Sequence, residues 1–340
     1  MSAQIFGLDI GRSYIKTVEV KLSGSKKILV AASSILAPVD AMKTEAGDDL
    51  KKISEAIKNC VKSAKIDTDK CVVSIIESQA VSRLIEMPNL TDKELTSAIS
   101  WEADQYIPLP IKDVNLHYQV ILRPPPGSQD KMRVLLVAAP KRVITKYEEI
   151  VRRAGLMLMA LETESSALSR MLTKAGEPAA LVVSFGGSST EIVLAKEGNV
   201  LFSRSVASGG KALSRAIMTE FNFSEKQAEE YKMTYGILED KLSGKIALVL
   251  RPIMDILITE ILKALEFSRT HLGAVQVGRI MICGGGAYLP GLGEYMTEKT
   301  SMEVLLADPW ESFSKEGLIM KIPGQGGFYC VATGLAMHKA

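Results

Sequence analysis

The chain opens on apolar runs broken by short polar stretches. Residues 4–10 and 14–22 read as two strands around a turn at 11–13, and "KKILVAASSIL" (26–36) reads as a third. The rhythm then changes. In 47–64, Leu50, Ile53, Ile57 and Val61 recur at helical spacing. "CVVSIIE" and "AVSRLIEMP" are strand-like again, up to Pro88. Thr91 followed by Glu94 predicts a capped helix over 91–107, with Leu95, Ile99, Ala103 and Tyr106 facing inward. "VNLHYQVIL" and "MRVLLVAAP" predict strands on either side of a Pro/Gly loop, and 141–155 a helix closed by Gly155. Beyond it come a strand over 156–164, a helix over 165–176 capped by Gly176, and strands in 179–210 with a turn at Gly198-Asn199. Ser224 with Gln227 opens another helix. Pro252 should break or kink the long helical stretch 244–271, "RIMICGGGAYLPGL" is a buried strand running into three glycines, and 326–340 is a closing helix.

One unit occurs twice. A shift of 175 positions carries Asp9 onto Ser184, Gly11 onto Gly186 and Ser13 onto Ser188, and the flanking apolar runs coincide. A repeated strand–turn–strand implies two lobes of similar build. Tight turns rich in small residues present backbone N–H groups to phosphate oxygens. Two such turns facing each other would clamp a polyphosphate from both sides. Asp9 would then hold water ligands of a magnesium ion, with Lys16 as a compensating positive charge. A third glycine cluster, Gly284-Gly285-Gly286, would let backbone approach a base or ribose closely.

Composition narrows the classes. The 340 residues suit two or more lobes, and 47% of them are apolar, enough for sizeable cores. A net charge of +2 gives no argument for nucleic acid. Four scattered cysteines and three histidines without shared helical spacing disfavour a disulfide framework or a structural metal. No run of about 18 apolar residues occurs, so a cytoplasmic protein without membrane insertion is expected.

"GLDIGRSYIK", "FGGSSTEIV", "AEEYKMTYG", "ICGGGAYLPGL" and "ATGLA" follow in the order of the actin-like ATPase superfamily, which the chain resembles. The segment from "RLIEMPNLTDKELTSAISWEADQYIPLPIKDVNLHYQVI" to "LLVAAPKRVITKYEEIVRRAGL" is similar to the PilM family of type IV pilus assembly, and less closely to the division protein FtsA. The resemblance implies a two-lobed α/β, ribonuclease H-like fold with a small inserted α+β subdomain. Lobe I would comprise 1–70, 156–178 and the closing helix 326–340. The insert would be 71–155, and lobe II 179–325 with a helical part at about 211–275. It also implies ATP and magnesium as cofactors. Asp9, Gly11, Arg12, Ser13 and Lys16 would form the first phosphate loop, and Gly186, Gly187, Ser188, Ser189 and Thr190 the second. Gly209, Gly210 and Lys211 would border the cleft. Glu229 and Lys232 would reach ribose and adenine, and Gly284, Gly285, Gly286 and Ala287 would form the adenosine motif.

By the same resemblance the partner is the N-terminal cytoplasmic tail of a PilN-like single-pass inner-membrane protein, docked on the insert, with pilus motor ATPases and self-association as further expectations. The chain would sit peripherally at the inner membrane through that partner. Trp101, off the Leu95–Ile99 stripe, and Arg83 are the partner-binding candidates. By the resemblance, the second phosphate loop usually carries an Asp where this chain has Ser184. A hydroxyl cannot polarise a metal-bound water as a carboxylate can, so ATP binding with weak or absent hydrolysis is expected. Asp9, Glu162 and Glu164 are the catalytic candidates. Rival readings are a type II secretion counterpart, a small-molecule kinase or active ATPase of the superfamily, and an FtsA-like membrane tether. The kinase would need a carboxylate base in the cleft. The tether would need an amphipathic membrane helix after "LAMHKA".

Overall fold

A computed structural model describes residues 4–24, 26–40, 44–272, 275–314, 318 and 326–338. Its first sheet contains β1 (Phe6–Ile10), β2 (Tyr14–Ser23), β3 (Lys26–Leu36), β4 (Lys70–Ile75) and β8 (Met157–Thr163), in the order β3-β2-β1-β4-β8. The second contains β9 (Ala179–Phe185), β10 (Thr190–Lys196), β11 (Asn199–Val206), β12 (Val277–Cys283) and β13 (Val304–Leu306), in the order β11-β10-β9-β12-β13. Both sheets have three antiparallel strands followed by two parallel additions. The duplication read from the turns therefore extends to whole sheets.

Helices separate and cover them. α4 (Glu164–Leu172) and α9 (Cys330–Ala336) lie between the sheets. Their Ala167, Leu168, Ala332 and Leu335 share one core with Val18 and Val72 of the first sheet and Val182 and Val193 of the second. The approach is close: a Cβ on Gly7 would lie 2.0 Å from the Ala332 carbonyl oxygen, and one on Gly334 2.2 Å from that of Ala167. α1 (Gly47–Ala64) and α3 (Lys141–Arg153) cover the outer face of the first sheet through Ile53, Ile57, Tyr147 and Ile150. α5 (Gly210–Phe221), α6 (Glu225–Tyr235), α7 (Lys245–His271) and α8 (Leu292–Thr300) cover that of the second. The layers are thus helix, sheet, helix, sheet, helix.

A third sheet, β5-β7-β6, is built from β5 (Val81–Met87), β6 (Val114–Leu122) and β7 (Met132–Pro140). α2 (Asp92–Ala103) covers one face with Leu95, Ile99 and Ala103. On the other face Leu84 and Ile121 pack against the cores of the main sheets. The unit with its own sheet is therefore narrower than the expected 71–155. β4 pairs with β1 and β8, and α3 packs with α1, so both belong to the first lobe. An apolar strand pattern says nothing about which sheet the strand joins.

Other boundaries also move. α4 ends at Leu172, short of Gly176, where Thr173 turns extended (φ −125°, ψ 140°). The hairpin turn is centred on Glu197-Gly198, both at positive φ, one residue before the expected pair. α7 continues through Pro252. Pro252 and Leu248 are both exposed, so the carbonyl that the proline releases lies on the solvent side of the helix. Tyr106 is exposed rather than packed in the core. The closing helix starts at Cys330 after a 3-10 turn over Gly326–Tyr329, and residues 339–340 of its expected span lie outside the described residues.

Candidate functional site

The two repeated turns are built alike. Gly11 N–H donates to the Tyr14 carbonyl and Gly186 N–H to that of Ser189, both at 3.0 Å. A Cβ on Gly11 or on Gly186 would meet that same carbonyl oxygen at 2.8 Å. Glycine at the first turn position is therefore a steric requirement in both copies. The turns also meet across the cleft: a Cβ on Gly187 would lie 2.3 Å from Ser13 Oγ. The second turn rests on the start of α5. Gly210 N–H donates to the Gly186 carbonyl (3.0 Å) and Lys211 N–H to that of Gly187 (2.8 Å). A Cβ on Gly209 would collide with Gly186 O at 2.6 Å.

Behind each turn runs a row of side chains across its sheet. In the first lobe, Asp9 is 2% exposed. It accepts from Lys16 Nζ at 2.9 Å and from Ser74 Oγ at 3.2 Å. Burial opposes the Lys16 charge, but Asp9 and then Glu164 outweigh it and hold the lysine pKa above its ordinary value. In the second lobe the row is Cys283, Ser184, Glu191, Ser205, adjacent in register. The 175-residue shift that carries Asp9 onto Ser184 also carries Lys16 onto Glu191. Composition therefore differs between the rows: acid beside base in one, hydroxyl beside acid in the other.

The catalytic candidates divide. Glu162 sits in an ion pair with Arg170, Oε1 at 2.8 Å from Nη1, with His338 Nδ1 at 3.6 Å. Burial pushes its pKa up, but Arg170 and His338 outweigh burial and hold it below the ordinary value. Glu162 thus ties β8 to α4 and the end of α9, away from the turns. Glu164 faces the cleft charges instead. Burial, with Glu191, Asp9 and Glu77 around it, pushes its carboxyl well above the ordinary range, and only Lys16 opposes this. Glu77 and Glu191 were missed in the sequence. Glu191 was legible there as the repeat's counterpart of Lys16.

The remaining expected residues fall in three places. Thr190 Oγ1 donates to the Ser208 carbonyl (2.7 Å), so it anchors the loop before α5. Lys232 Nζ lies 2.6 and 2.7 Å from the Glu229 carboxylate and 2.8 Å from Ser214 Oγ, which joins α5 to α6 beside Gly210. Gly284, at φ +83, donates to the Gly327 carbonyl (2.9 Å), and Gly286 lies against the Phe185 ring, with Ala287 buried behind it. Arg83 on β5 and Trp101 on α2, the latter 77% exposed, lie on the insert, apart from the cleft.

The donors at this cleft are of the kind a polyphosphate takes. Ser13 Oγ and Arg12 Nε, at the tip of the first turn, are buried without a hydrogen-bond partner. At Gly11, Gly186, Gly187 and Gly209 the backbone packs so closely that a Cβ would collide with protein atoms at 2.3–2.8 Å.

The model of the type IV pilus assembly protein PilM family matches residues 7–340. The chain belongs to the PilM family. A solved PilM-PilN type IV pilus biogenesis complex is 27% identical in sequence, with a TM-score of 0.83 over 99% of this chain and 98% of that one. MreB5 of Spiroplasma citri bound to AMPPNP shares the fold at 14% identity and a TM-score of 0.56, over 98% of this chain and 95% of that one. Among curated proteins, the cell division protein FtsA of Streptococcus pneumoniae is 21% identical, matching 89% of this chain and 75% of its own length. The fold is therefore the actin-like one, here in its PilM form. Among the described residues no helix is long and apolar enough to cross a membrane.

Proposed function

We propose that this PilM-family chain is a nucleotide-holding adaptor of a type IV pilus assembly platform, and that its insert binds the N-terminal cytoplasmic tail of a PilN-like inner-membrane protein. The carrying observation is the facing pair of turns, Ser13 against Gly187, with polar atoms left unpartnered at the tip of the first. Arg12, Ser13 and the turn glycines would hold the phosphates. Asp9 would hold waters of a magnesium ion, whose positive charge offsets the negative charge of the phosphates. Gly284, Gly285, Gly286 and Ala287 would border the nucleoside, with Glu229 and Lys232 beside them. Ser184 is not a carboxylate, so turnover should be slow. The full-length likeness to a PilM-PilN complex supports the partner. Exposed Trp101 on α2 is a suitable aromatic anchor.

Calorimetric titration with synthetic PilN-like tails, with and without ATP and magnesium, tests both halves. Saturable binding of both ligands is expected, and Trp101→Ala should weaken the peptide at least tenfold while leaving ATP binding unchanged. Absence of any heat with ATP would remove the nucleotide half; absence of peptide binding in both conditions would remove the partner half.

A further inference from the structure

One aromatic ring touches both sides of the cleft. Phe328 lies in the 3-10 turn Gly326–Tyr329, just before α9, and is half-buried. Its ring covers the Lys16 ammonium, with Nζ 4.5 Å from the ring centroid. The same ammonium lies 2.9 Å from Asp9 Oδ2. Tyr14, at the start of β2, stands perpendicular to the Phe328 ring, with centroids 5.3 Å apart and planes at 85°. From the second lobe comes Gly285 of the third glycine cluster, where an added Cβ would touch the ring at 3.6 Å. Next to the ring, the Gly327 carbonyl accepts from Gly284 N–H at 2.9 Å, which fixes the backbone of the turn. Phe328 therefore borders the phosphate side of the cleft at Lys16 and its nucleoside side at Gly285. Lys16 and Phe328 stand near opposite ends of the chain, so no sequence pattern pairs them.

Of the donors of the Lys16 ammonium, Asp9 takes one. The ring attracts the cation through its quadrupole, but it carries no charge to cancel that of the ammonium. The Lys16 side chain is 13% exposed. The contact thus fixes the place of the charge and leaves the charge available to an anion. A lysine stem has much rotamer freedom to lose on binding, and a stem already held loses less. Apolar bulk alone would not achieve this, because an aliphatic side chain has no negative face to offer a cation. We propose that Phe328 is a positioning residue for phosphate binding: its ring, braced by Tyr14 and the Gly285 turn, holds the Lys16 ammonium ready for the phosphates of a nucleotide. This rests on the nucleotide half of the proposed function.

Two variants separate the ring from its bulk. Phe328→Leu keeps the apolar volume, and Phe328→Tyr keeps the ring face. In calorimetric titration with ATP and magnesium, Phe328→Leu should bind about fivefold more weakly than the parent, the worth of one such contact. Phe328→Tyr should bind as the parent does. In a Lys16→Met background, Phe328→Leu should make no further difference, because the group it positions is gone. A second measurement needs no nucleotide. Acetylation of Lys16 in the free protein, followed by mass spectrometry, should quicken several-fold in Phe328→Leu and keep the parent rate in Phe328→Tyr. Equal or tighter ATP binding by Phe328→Leu would overturn the proposal. So would a loss that persists in the Lys16→Met background, which would make the ring a direct contact of the nucleotide. Unaltered acetylation of Lys16 in Phe328→Leu would remove the positioning role alone, whereas a parent that binds no ATP would remove the nucleotide reading and this proposal with it.

Discussion

At Gly187 the two lobes come within a methyl group of contact. Its φ lies outside the left-handed region, so the backbone itself tolerates a side chain. What forbids one is Ser13, whose Oγ and Cβ would lie 2.3 and 3.1 Å from an added Cβ. Gly187→Ala should therefore act across the cleft rather than within its own loop, and the overpacking should cost about 1–3 kcal/mol. Thermal unfolding would register that loss, and calorimetry a weakened nucleotide. Ser13→Gly in the same molecule removes both clashing atoms and should recover most of the stability. Recovery separates a contact between lobes from damage to the second turn alone, which Ser13→Gly could not repair. Asp9 and Lys16 show the same economy of position. Their Cα atoms are register partners on β1 and β2, so the ion pair follows directly from the turn between them.

At the scale of elements, α2 is specified by its first turn. Thr91 Oγ1 accepts from Glu94 N–H at 3.4 Å, and Glu94 Oε2 accepts from Thr91 N–H at 2.8 Å, a complete capping box. Thr91→Ala should cost about 1 kcal/mol. Because α2 covers only the small sheet, amide exchange should quicken in 92–103 and stay unchanged in the two main sheets. Signals of this local kind explain what the sequence made legible. Capping pairs at Thr91 and Ser224, the apolar runs of β1 to β3 and the spacing of α1 all depend on neighbours within a few residues, and the structure reproduces them. The repeated turns were legible because one local geometry recurs. The assignment of β4 to the main sheet was hidden, since its apolar run suits either sheet. Glu77 was hidden for a related reason: its partner Ser203 is 126 residues away. The choice between Glu162 and Glu164 depended on Arg170 and on a helix at the far end of the chain, which no local pattern encodes.

The whole molecule is joined along the central helix layer, and Arg170 is its main polar tie. From α4, its Nη1 donates to Glu162 on β8 at 2.8 Å and to the Gly334 carbonyl of α9 at 2.7 Å. Both charged side chains are largely shielded, so removing one strands the other. Arg170→Ala should destabilise the fold by about 3 kcal/mol, the lower range for breaking a buried pair. The expected effect has a pH signature. Arg170 and His338 outweigh burial and keep the Glu162 pKa below its ordinary value in the folded chain. The resulting stabilisation is present above the ordinary carboxylate value and is lost as pH falls through the depressed one. The parent should thus lose part of its stability in acid, and Arg170→Ala, which has already lost that part, should show a shallower acid slope in urea denaturation. Nucleotide affinity near neutrality should change little, because the tie lies away from the turns. An equal acid slope in parent and variant would mean that the seam is held by the apolar contacts of Ala167, Ala332 and Leu335 alone, with the ion pair only setting the direction of α9.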